Sequence, residues 1–279
     1  MARKARLDAE LVRRGLARSR DHAAELVAQG MVRIRGVPAT KPATGVDPDT
    51  PLLVRADLDE PQWVSRGAHK LVGALDGFTA GGPVVAGRRC LDAGASTGGF
   101  TDVLLRRGAR EVVAVDVGYG QLAWRLRTDE RVRVRDRTNV RTLEPELIGG
   151  PVALTVADLS FISLRLVLPA LVACTAPDGD LVPMVKPQFE VGRDRLGSGG
   201  VVRDPALRAE AVLGVASAAV DLGLCLVDVT ASPLPGPSGN VEYFLWLRRD
   251  VAARRGDDVA ARRRDIEELV QVAVQEGPR

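Results

Sequence analysis

Hydrophobic residues near the start of the chain recur first at helical spacing and then in alternation. The helical spacing predicts two short helices, over 6–15 and 20–29, each ending on or just before a glycine. The segment 31–36 (MVRIRG) then alternates apolar residues with arginines, as a half-buried strand does, and another strand signal stands at 52–55. These patterns predict a small α+β unit.

From residue 88 onward, short apolar runs alternate regularly with amphipathic segments. The apolar runs predict strands at 88–93, 111–117, 132–135, 152–157 and 180–185. The amphipathic segments predict helices at 99–108, 119–127, 142–148 and 164–174. A helix at 205–222 and two strands, 224–230 and 242–248, follow, and the strands are typical of a terminal antiparallel hairpin. The fold class is therefore α/β, a Rossmann-like seven-stranded sheet with a small N-terminal α+β domain.

Frequent prolines between residues 36 and 62 place a domain boundary near residue 60. We expect an N-terminal domain at 1–60, a linker at 61–66, a main domain at 67–250 and a charged helical tail at 251–279, whose ARRRDIEEL run should be a solvated helix. The segment PQWVSRGAHK has the composition of a linker, but it includes Trp63, whose large apolar ring must dock on something. A tryptophan that holds two domains together is the simplest interpretation.

The positive charge of the chain is concentrated at its N-terminal end. The formal net charge is only +3 over 279 residues, yet residues 1–41 carry ten lysines and arginines against four acids, as a polyanion-binding module would. Three single cysteines without CxxC spacing argue against disulfides and a zinc site. Without an apolar stretch long enough to span a bilayer, we expect a soluble, cytoplasmic protein that does not engage membranes.

A glycine-rich loop follows the first strand of the main domain, in the segment CLDAGASTGGF. Gly94, Gly98 and Gly99, with Ser96 between them, lie where a doubly wound sheet binds nucleotide-like ligands. Glycines there let the backbone approach a ligand, and the following helix offers free amides. Asp116 ends the second strand at close to the spacing of about 20 residues that places a carboxylate on ribose hydroxyls.

Two features of this loop argue against a nicotinamide dinucleotide and favour S-adenosylmethionine as the cofactor. The glycine spacing is GxxxGG rather than GxGxxG, and Asp92 precedes the loop, where its carboxylate could meet the amino group of a ligand. Asp136, at the end of the third strand, could hold the adenine amino group or could equally cap a helix.

The segment after the fourth strand indicates which atom is methylated. It reads ADLSF and lacks the Asn/Asp-Pro-Pro-aromatic turn of amine-directed enzymes, while the cysteines lie in apolar runs unsuited to a nucleophile. An oxygen acceptor remains. Lys186 emerges from the apolar strand LVPMVK, where an ammonium is costly to bury unless it is paired. A lysine that extends from a strand end into solvent is the alternative.

Four separated segments resemble the FtsJ type of 2′-O-ribose RNA methyltransferases. Lys70 in SRGAHKL, Asp158 in ADLSF, Lys186 in MVKPQFE and Glu242 in GNVEYF are similar to the Lys-Asp-Lys-Glu tetrad of that type. Residues 1 to about 249, including RLDAELVRRGLARSR and KPQFEVGR, resemble the TlyA family of 16S/23S ribosomal RNA (cytidine-2′-O)-methyltransferases, also labelled hemolysins. The resemblance implies ribosomal RNA or ribosomal subunits as the partner.

The resemblance also implies a role for each residue of the tetrad. Lys186 would accept the proton of the 2′-hydroxyl, Asp158 would steer Lys186 and also border the cofactor, Lys70 would crowd Lys186 with like charge, and Glu242 would orient the hydroxyl. If Lys186 is never neutral, the tetrad acts mainly by positioning.

The N-terminal unit resembles the RNA-binding domain of ribosomal protein S4. Predicted phosphate contacts are Arg6, Arg18, Arg20 and Lys41, although outward basic residues can also be ordinary surface. Phe161 could stack on a nucleotide flipped into the pocket. The glycine-rich segment 192–200 is expected to be mobile and to become ordered on RNA.

Two other functions remain open at this point. A non-catalytic RNA-binding or ribosome-assembly factor would keep the cofactor fold without the reaction, and a membrane-active hemolysin would follow the older family label. The sequence indicates no protein partner, and a monomer is expected.

Overall fold

The computed structural model describes residues 4–28, 30–54, 63–79, 81–236, 238–249 and 259–277. It divides the chain into two compact units, residues 1–62 and 63–279. Five predictions fall wholly or partly outside the described residues: the end of the 20–29 helix, Arg55 at the end of the 52–55 strand, the domain boundary near 60, the start of the 61–66 linker, and the first part of the tail.

The first unit is a small α+β fold around its own core. Its elements are β1 (Ala5–Arg6), α1 (Leu7–Arg13), α2 (Arg20–Ala28), β2 (Val32–Ile34), β3 (Val37–Pro38), β4 (Gly45–Val46) and β5 (Leu52–Val54). Strands β3, β2 and β5 form an antiparallel sheet, and β1 pairs with β4. Leu7, Leu11 and Val32 are fully buried, as the apolar spacing predicts.

The second unit is built on a seven-stranded sheet. Its elements are α3 (Gly67–Gly77), β6 (Arg89–Ala93), α4 (Gly99–Arg106), β7 (Glu111–Val115), α5 (Trp124–Arg127), β8 (Val132–Arg135), β9 (Val152–Ala157), α6 (Leu168–Cys174), β10 (Thr175–Val185), α7 (Pro187–Glu190), α8 (Pro205–Asp221), β11 (Leu224–Ala231), β12 (Tyr243–Arg249) and α9 (Val259–Glu276). Short 3₁₀ helices span Val140–Thr142, Pro145–Ile148, Leu164–Leu166, Arg193–Arg195 and Ser198–Gly200.

The strand order is β11-β12-β10-β9-β6-β7-β8. Strands β6 to β10 are parallel to one another, whereas β12 lies antiparallel to β10 and to β11. Neighbouring residues of β6 face opposite sides, since Leu91 joins one buried cluster with α6, α8 and α9, and Cys90 joins the other with α3 and α4. The predicted α/β class and the terminal hairpin are confirmed.

Several predicted elements are shorter or different in the structure. The helix predicted at 119–127 is helical only in α5, and the one predicted at 142–148 is 3₁₀. Helix α3 covers the end of the segment that has a linker composition. In the ARRRDIEEL run, Asp265, Glu267 and Glu268 are exposed as expected, whereas the residues of α9 that follow it are buried in the core cluster that α8 and β11 also line, namely Val270, Ala273 and Val274.

Candidate active site

The carboxyl ends of the five parallel strands carry most of the predicted site residues. Gly94, Asp116, Asp136, Asp158 and Lys186 each follow directly after one of the strands β6 to β10. Parallel neighbouring strands bring these positions to one edge of the sheet, and β6 and β9 flank the point where the strand order reverses. This is where open α/β sheets bind their ligands.

Gly94 begins the loop after β6, and the segment that follows β9 leaves no room for a side chain at this position. Its φ is +88°, and an added Cβ would collide with the backbone carbonyl oxygen of Asp158 and lie 2.9 Å from Leu159 Cδ2. The amide of Asp158 in turn donates to the carbonyl oxygen of Ala93 at 3.0 Å. The loop after β6 and the segment after β9 are therefore in backbone contact.

Gly98 and Gly99 serve the packing of the domain, which the expectation of ligand approach did not anticipate. Gly98 has φ +97° and immediately precedes α4, and a Cβ there would collide with Leu126 and Leu122. A Cβ on Gly99 would collide with Ser65 Oγ and lie 2.9 Å from the Ala68 amide nitrogen. These contacts hold the start of α4 against α3 and α5.

Asp92 is fully buried and keeps one carboxylate oxygen without a partner among the described residues. Its other oxygen accepts a hydrogen bond of 2.6 Å from Thr101 Oγ1. Burial raises the pKa of Asp92 to about 7, with further contributions from the nearby carboxylates of Asp158 and Asp116. A buried acceptor without a donor is costly, so this oxygen suits a cationic donor on a bound ligand.

Asp116 is organised by two backbone amides. Its oxygens accept hydrogen bonds from the Ser96 amide at 2.8 Å and the Gly118 amide at 2.7 Å. Ser96 adopts a φ of +47°, uncommon outside glycine, and its side chain is exposed. Ser96 thus contributes its backbone to holding Asp116, and each carboxylate oxygen keeps a lone pair for a ligand hydroxyl.

Asp136 is held by a neighbouring arginine. Arg127 donates to it at 2.9 Å, and the Gly120 amide donates at 3.2 Å. Burial works to raise the pKa of Asp136, but the hydrogen bonds from Arg127 and Gly120, together with the charges of Arg127 and Arg137, leave the pKa lowered. The cap alternative is wrong, because Asn139 caps the next helix by accepting from the Arg141 amide.

The four residues of the predicted tetrad form two ion pairs. Lys70 Nζ on α3 lies 2.5 Å from Glu242 Oε2, which directly precedes β12. Lys186 Nζ lies 2.6 Å from Asp158 Oδ1. Lys70, Lys186 and Glu242 are buried, and Asp158 is half-buried. Each lysine therefore has the carboxylate partner that burial requires, and Lys186 is not an unpaired strand-end lysine.

A serine that the sequence interpretation missed also holds Lys186. Lys186 Nζ donates to Ser160 Oγ at 2.8 Å. The next residue, Phe161, has φ +64°, a strained conformation for a bulky side chain, and is 91% exposed with its ring 5.3 Å from that of Phe189. The only sequence signal for Ser160 was its place two residues after Asp158.

Glu242 has an oxygen that the tetrad does not use. Oε1 is buried and lacks a hydrogen-bond partner among the described residues, and an added Cβ on Gly236 would lie 2.7 Å from it. Two residues before Glu242, Asn240 accepts from the Val202 amide at 2.9 Å and donates to the Gly200 carbonyl oxygen at 3.0 Å. Asn240 thus anchors the end of the glycine-rich segment 192–200, whose response to RNA stays a prediction.

The predicted phosphate contacts of the first unit are solvent-facing. Arg6, Arg18, Arg20 and Lys41 are all exposed. Arg6 and Arg20 both donate to the carboxylate of Asp8, which is buried.

No titratable cluster suited to a metal ion occurs among the described residues, and within the same ranges no helix is long and apolar enough to cross a membrane.

Comparison with protein families assigns both units. An FtsJ-like methyltransferase model matches residues 63–249, and an S4 domain model matches residues 5–51. The protein named 16S/23S rRNA (cytidine-2′-O)-methyltransferase TlyA from Mycobacterium tuberculosis H37Rv is 64% identical over 100% of both chains. The chain belongs to the TlyA family of FtsJ-like methyltransferases.

Other TlyA-like proteins carry different names. The 23S rRNA (cytidine-2′-O)-methyltransferase TlyA of Campylobacter jejuni is 34% identical, covering 74% of this chain and 80% of that protein. Hemolysin A of Brachyspira hyodysenteriae is 36% identical over 86% and 98%. A solved structure of a hemolysin-named protein from Streptococcus thermophilus is 37% identical, covers 99% of this chain and 98% of that one, and superposes with a TM-score of 0.72. The predicted family and domain types are confirmed.

Proposed function

We propose that this protein transfers a methyl group from S-adenosylmethionine to the 2′-hydroxyl of a cytidine ribose in ribosomal RNA. The observation that carries the proposal is the double role of Asp158. Its backbone oxygen lies against Gly94 of the glycine loop, and its carboxylate holds the Lys186 ammonium. The names of the TlyA relatives support ribosomal RNA and cytidine.

The residues at the sheet edge fit S-adenosylmethionine. The unpartnered oxygen of Asp92 suits the amino group of its methionine part, Asp116 suits the ribose hydroxyls, and Asp136 could approach the adenine amino group. Gly94, Ser96, Gly98 and Gly99 shape the loop between them. When bound, this cofactor supplies an activated methyl group for transfer.

The tetrad would act on the acceptor hydroxyl. Lys186 would accept the hydroxyl proton at Nζ while Asp158 and Ser160 fix the direction of that atom. Glu242 would orient the hydroxyl through its unpartnered Oε1, and Lys70 would keep Glu242 in place. If Lys186 stays an ammonium, the same contacts position the hydroxyl without removing its proton.

The S4-like unit would bring the RNA to this site. Its exposed basic residues suit phosphate contacts, which add affinity and salt dependence but little sequence readout. The exposed ring of Phe161, the residue after the Ser160 that holds Lys186, suits stacking on the flipped nucleotide.

Transfer of tritiated methyl groups to purified ribosomal RNA and to ribosomal subunits tests the proposal, with mass spectrometry to locate the modified ribose. Lys186→Ala should abolish transfer while calorimetry still detects cofactor binding. Lys186→Arg keeps the charge but cannot act as a base, so it separates proton removal from positioning. Arg110→Ala, on the exposed surface, serves as the control. A wild-type protein that binds RNA and cofactor without methylating would instead favour a non-catalytic factor.

A further inference from the structure

A buried acid of the first unit is bonded by two of the arginines that are predicted to contact phosphate. Asp8 is 4% exposed, and its carboxylate receives a two-pronged interaction from Arg6, through Nε at 3.1 Å and Nη2 at 2.8 Å. Arg20 donates to the same carboxylate from Nη2 at 3.2 Å. Arg6 ends β1 and Arg20 begins α2, so Asp8 joins arginines from two separate elements.

Both arginines keep donors for a further ligand. Their side chains are 52% and 60% exposed, whereas that of Asp8 is 6% exposed, so the guanidinium groups cover the carboxylate and face solvent. A guanidinium carries five N–H donors in a planar fork, and Asp8 occupies two sites on Arg6 and one on Arg20. Two guanidinium groups that are held by the same carboxylate can together donate to several oxygens of one phosphate.

We propose that Asp8 is a positioning residue that holds Arg6 and Arg20 as a clamp for one phosphate of the RNA backbone. The inference rests on the proposed function, because it takes RNA as the ligand. An unanchored arginine loses side-chain entropy when it is fixed on a ligand, and Asp8 fixes both before RNA arrives. Arg6 above all keeps the pKa of Asp8 well below its usual range, so the anchor stays ionised.

Glu10 on the same helix provides a matched comparison. It is also buried, at 3% exposed, and also bridges two arginines, Arg13 and Arg14. Arg14, however, is turned into the unit, where it donates to the carbonyl oxygens of Thr50 and Pro48 at 2.7 Å. The Glu10 cluster therefore fastens α1 to the loop before β5 and does not present two open guanidinium groups.

The test uses the sign of the change in RNA affinity. Asp8→Asn and Glu10→Gln each remove one negative charge from α1, and charge alone predicts tighter binding of RNA by both variants. Loss of the clamp predicts the opposite for Asp8→Asn: binding of full-length protein to ribosomal RNA about tenfold weaker. The slope of log K against log salt should also become shallower by about 0.7 to 0.9, the share of one phosphate contact. Glu10→Gln should bind as tightly as wild type or more tightly, with the slope kept.

Tighter binding by Asp8→Asn, or an unchanged salt slope, would overturn the clamp. Circular dichroism and thermal melting show whether the variants fold. If Asp8→Asn is unfolded, Arg6→Ala, Arg20→Ala and the double variant decide: a clamp that needs both arginines predicts a combined loss smaller than the product of the single losses. Independent effects would sink the proposal. A protein that shows this pattern but transfers no methyl group would retain the clamp and refute the proposed activity.

Discussion

Lys186 Nζ lies between two oxygens that follow β9, Asp158 Oδ1 at 2.6 Å and Ser160 Oγ at 2.8 Å. An ammonium has three donors, so these contacts occupy two of them and fix the direction of the third. The turn that presents both oxygens includes Phe161 in a conformation that non-glycine residues avoid. The arrangement indicates that the segment 158–161 is shaped to hold this lysine.

Ser160→Ala should therefore slow methyl transfer without weakening cofactor binding. Removing one hydrogen bond to a charged group costs about 1.5 kcal/mol, which corresponds to roughly a tenfold drop in kcat. Steady-state kinetics should show KM for RNA nearly unchanged, and the pH profile of kcat should shift. Ser160→Thr keeps the hydroxyl and should restore most of the activity. Equal kinetics for Ala and wild type would contradict a role for this hydroxyl.

Gly236→Ala should lower methyl transfer by displacing the carboxylate of Glu242. The new Cβ would lie 2.7 Å from Glu242 Oε1, so the carboxylate must move and its pair with Lys70 is disturbed. We expect a loss of at least tenfold in methyl transfer, with folding retained. Gly214→Ala is the control, because α8 offers open space there and the change should stabilise the helix by about 0.5 to 1 kcal/mol. An active Gly236→Ala enzyme would show that Glu242 tolerates displacement.

Asp92 should make the stability of the cofactor-free protein depend on pH. Burial raises its pKa from 3.8 to about 7, so between these values the folded protein holds a proton that the unfolded chain has released. The contribution of Asp92 to the free energy of unfolding therefore falls as pH rises from about 4 to about 7. Urea unfolding over this range should show the fall, and Asp92→Asn should remove it.

The same carboxyl group should couple cofactor affinity to pH. If ionised Asp92 receives the protonated amino group of S-adenosylmethionine, calorimetric affinity should rise with pH up to about 7, and it should fall again once that amino group loses its proton at about pH 8. Asp92→Asn should bind the cofactor more weakly at pH 7 and lose the rise below that pH. An affinity independent of pH in the wild-type protein would rule out this contact.

Helix α9 should prove to be part of the core. Val270 is fully buried and Val272 is 46% exposed. Val270→Asp places a carboxylate in an apolar cluster and should cost several kcal/mol of stability, whereas Val272→Asp should change stability by less than about 0.5 kcal/mol. Thermal melting of the two variants measures the difference. Similar melting temperatures would mean that α9 is detached in solution.

Much of the fold could be predicted because periodicity reports burial directly. The strands of the main sheet lie close to their predicted positions, because short runs of β-branched and apolar residues are typical of buried strands. Helix α3 was not predicted, because its sequence, GAHKLVGALDG, contains three glycines, which lower helix propensity. Gly73 is there for packing, because a Cβ would collide with Pro233, and such a contact cannot be read from local sequence.

The candidate site was predictable in its residue types and only partly in its pairings. The family resemblance implied that Asp158 steers Lys186, but it had Lys70 crowding Lys186, whereas the packing of α3 against β12 pairs Lys70 with Glu242. Ser160 was missed because a hydroxyl carries no spacing signature. The packing roles of Gly98 and Gly99 were missed for the same reason as that of Gly73: their close neighbours are distant in sequence or in another element.

The pair of Lys70 and Glu242 joins residues that are 172 positions apart in the chain. Bringing such distant positions together costs loop-closure entropy, which ordering of the intervening chain reduces. A partly folded protein that had assembled only β6 to β10 would already own the glycine loop and the Lys186–Asp158 pair, yet it would lack this last contact. If methyl transfer needs Glu242 as proposed, RNA modification would therefore require β12 to have joined the sheet beside β10.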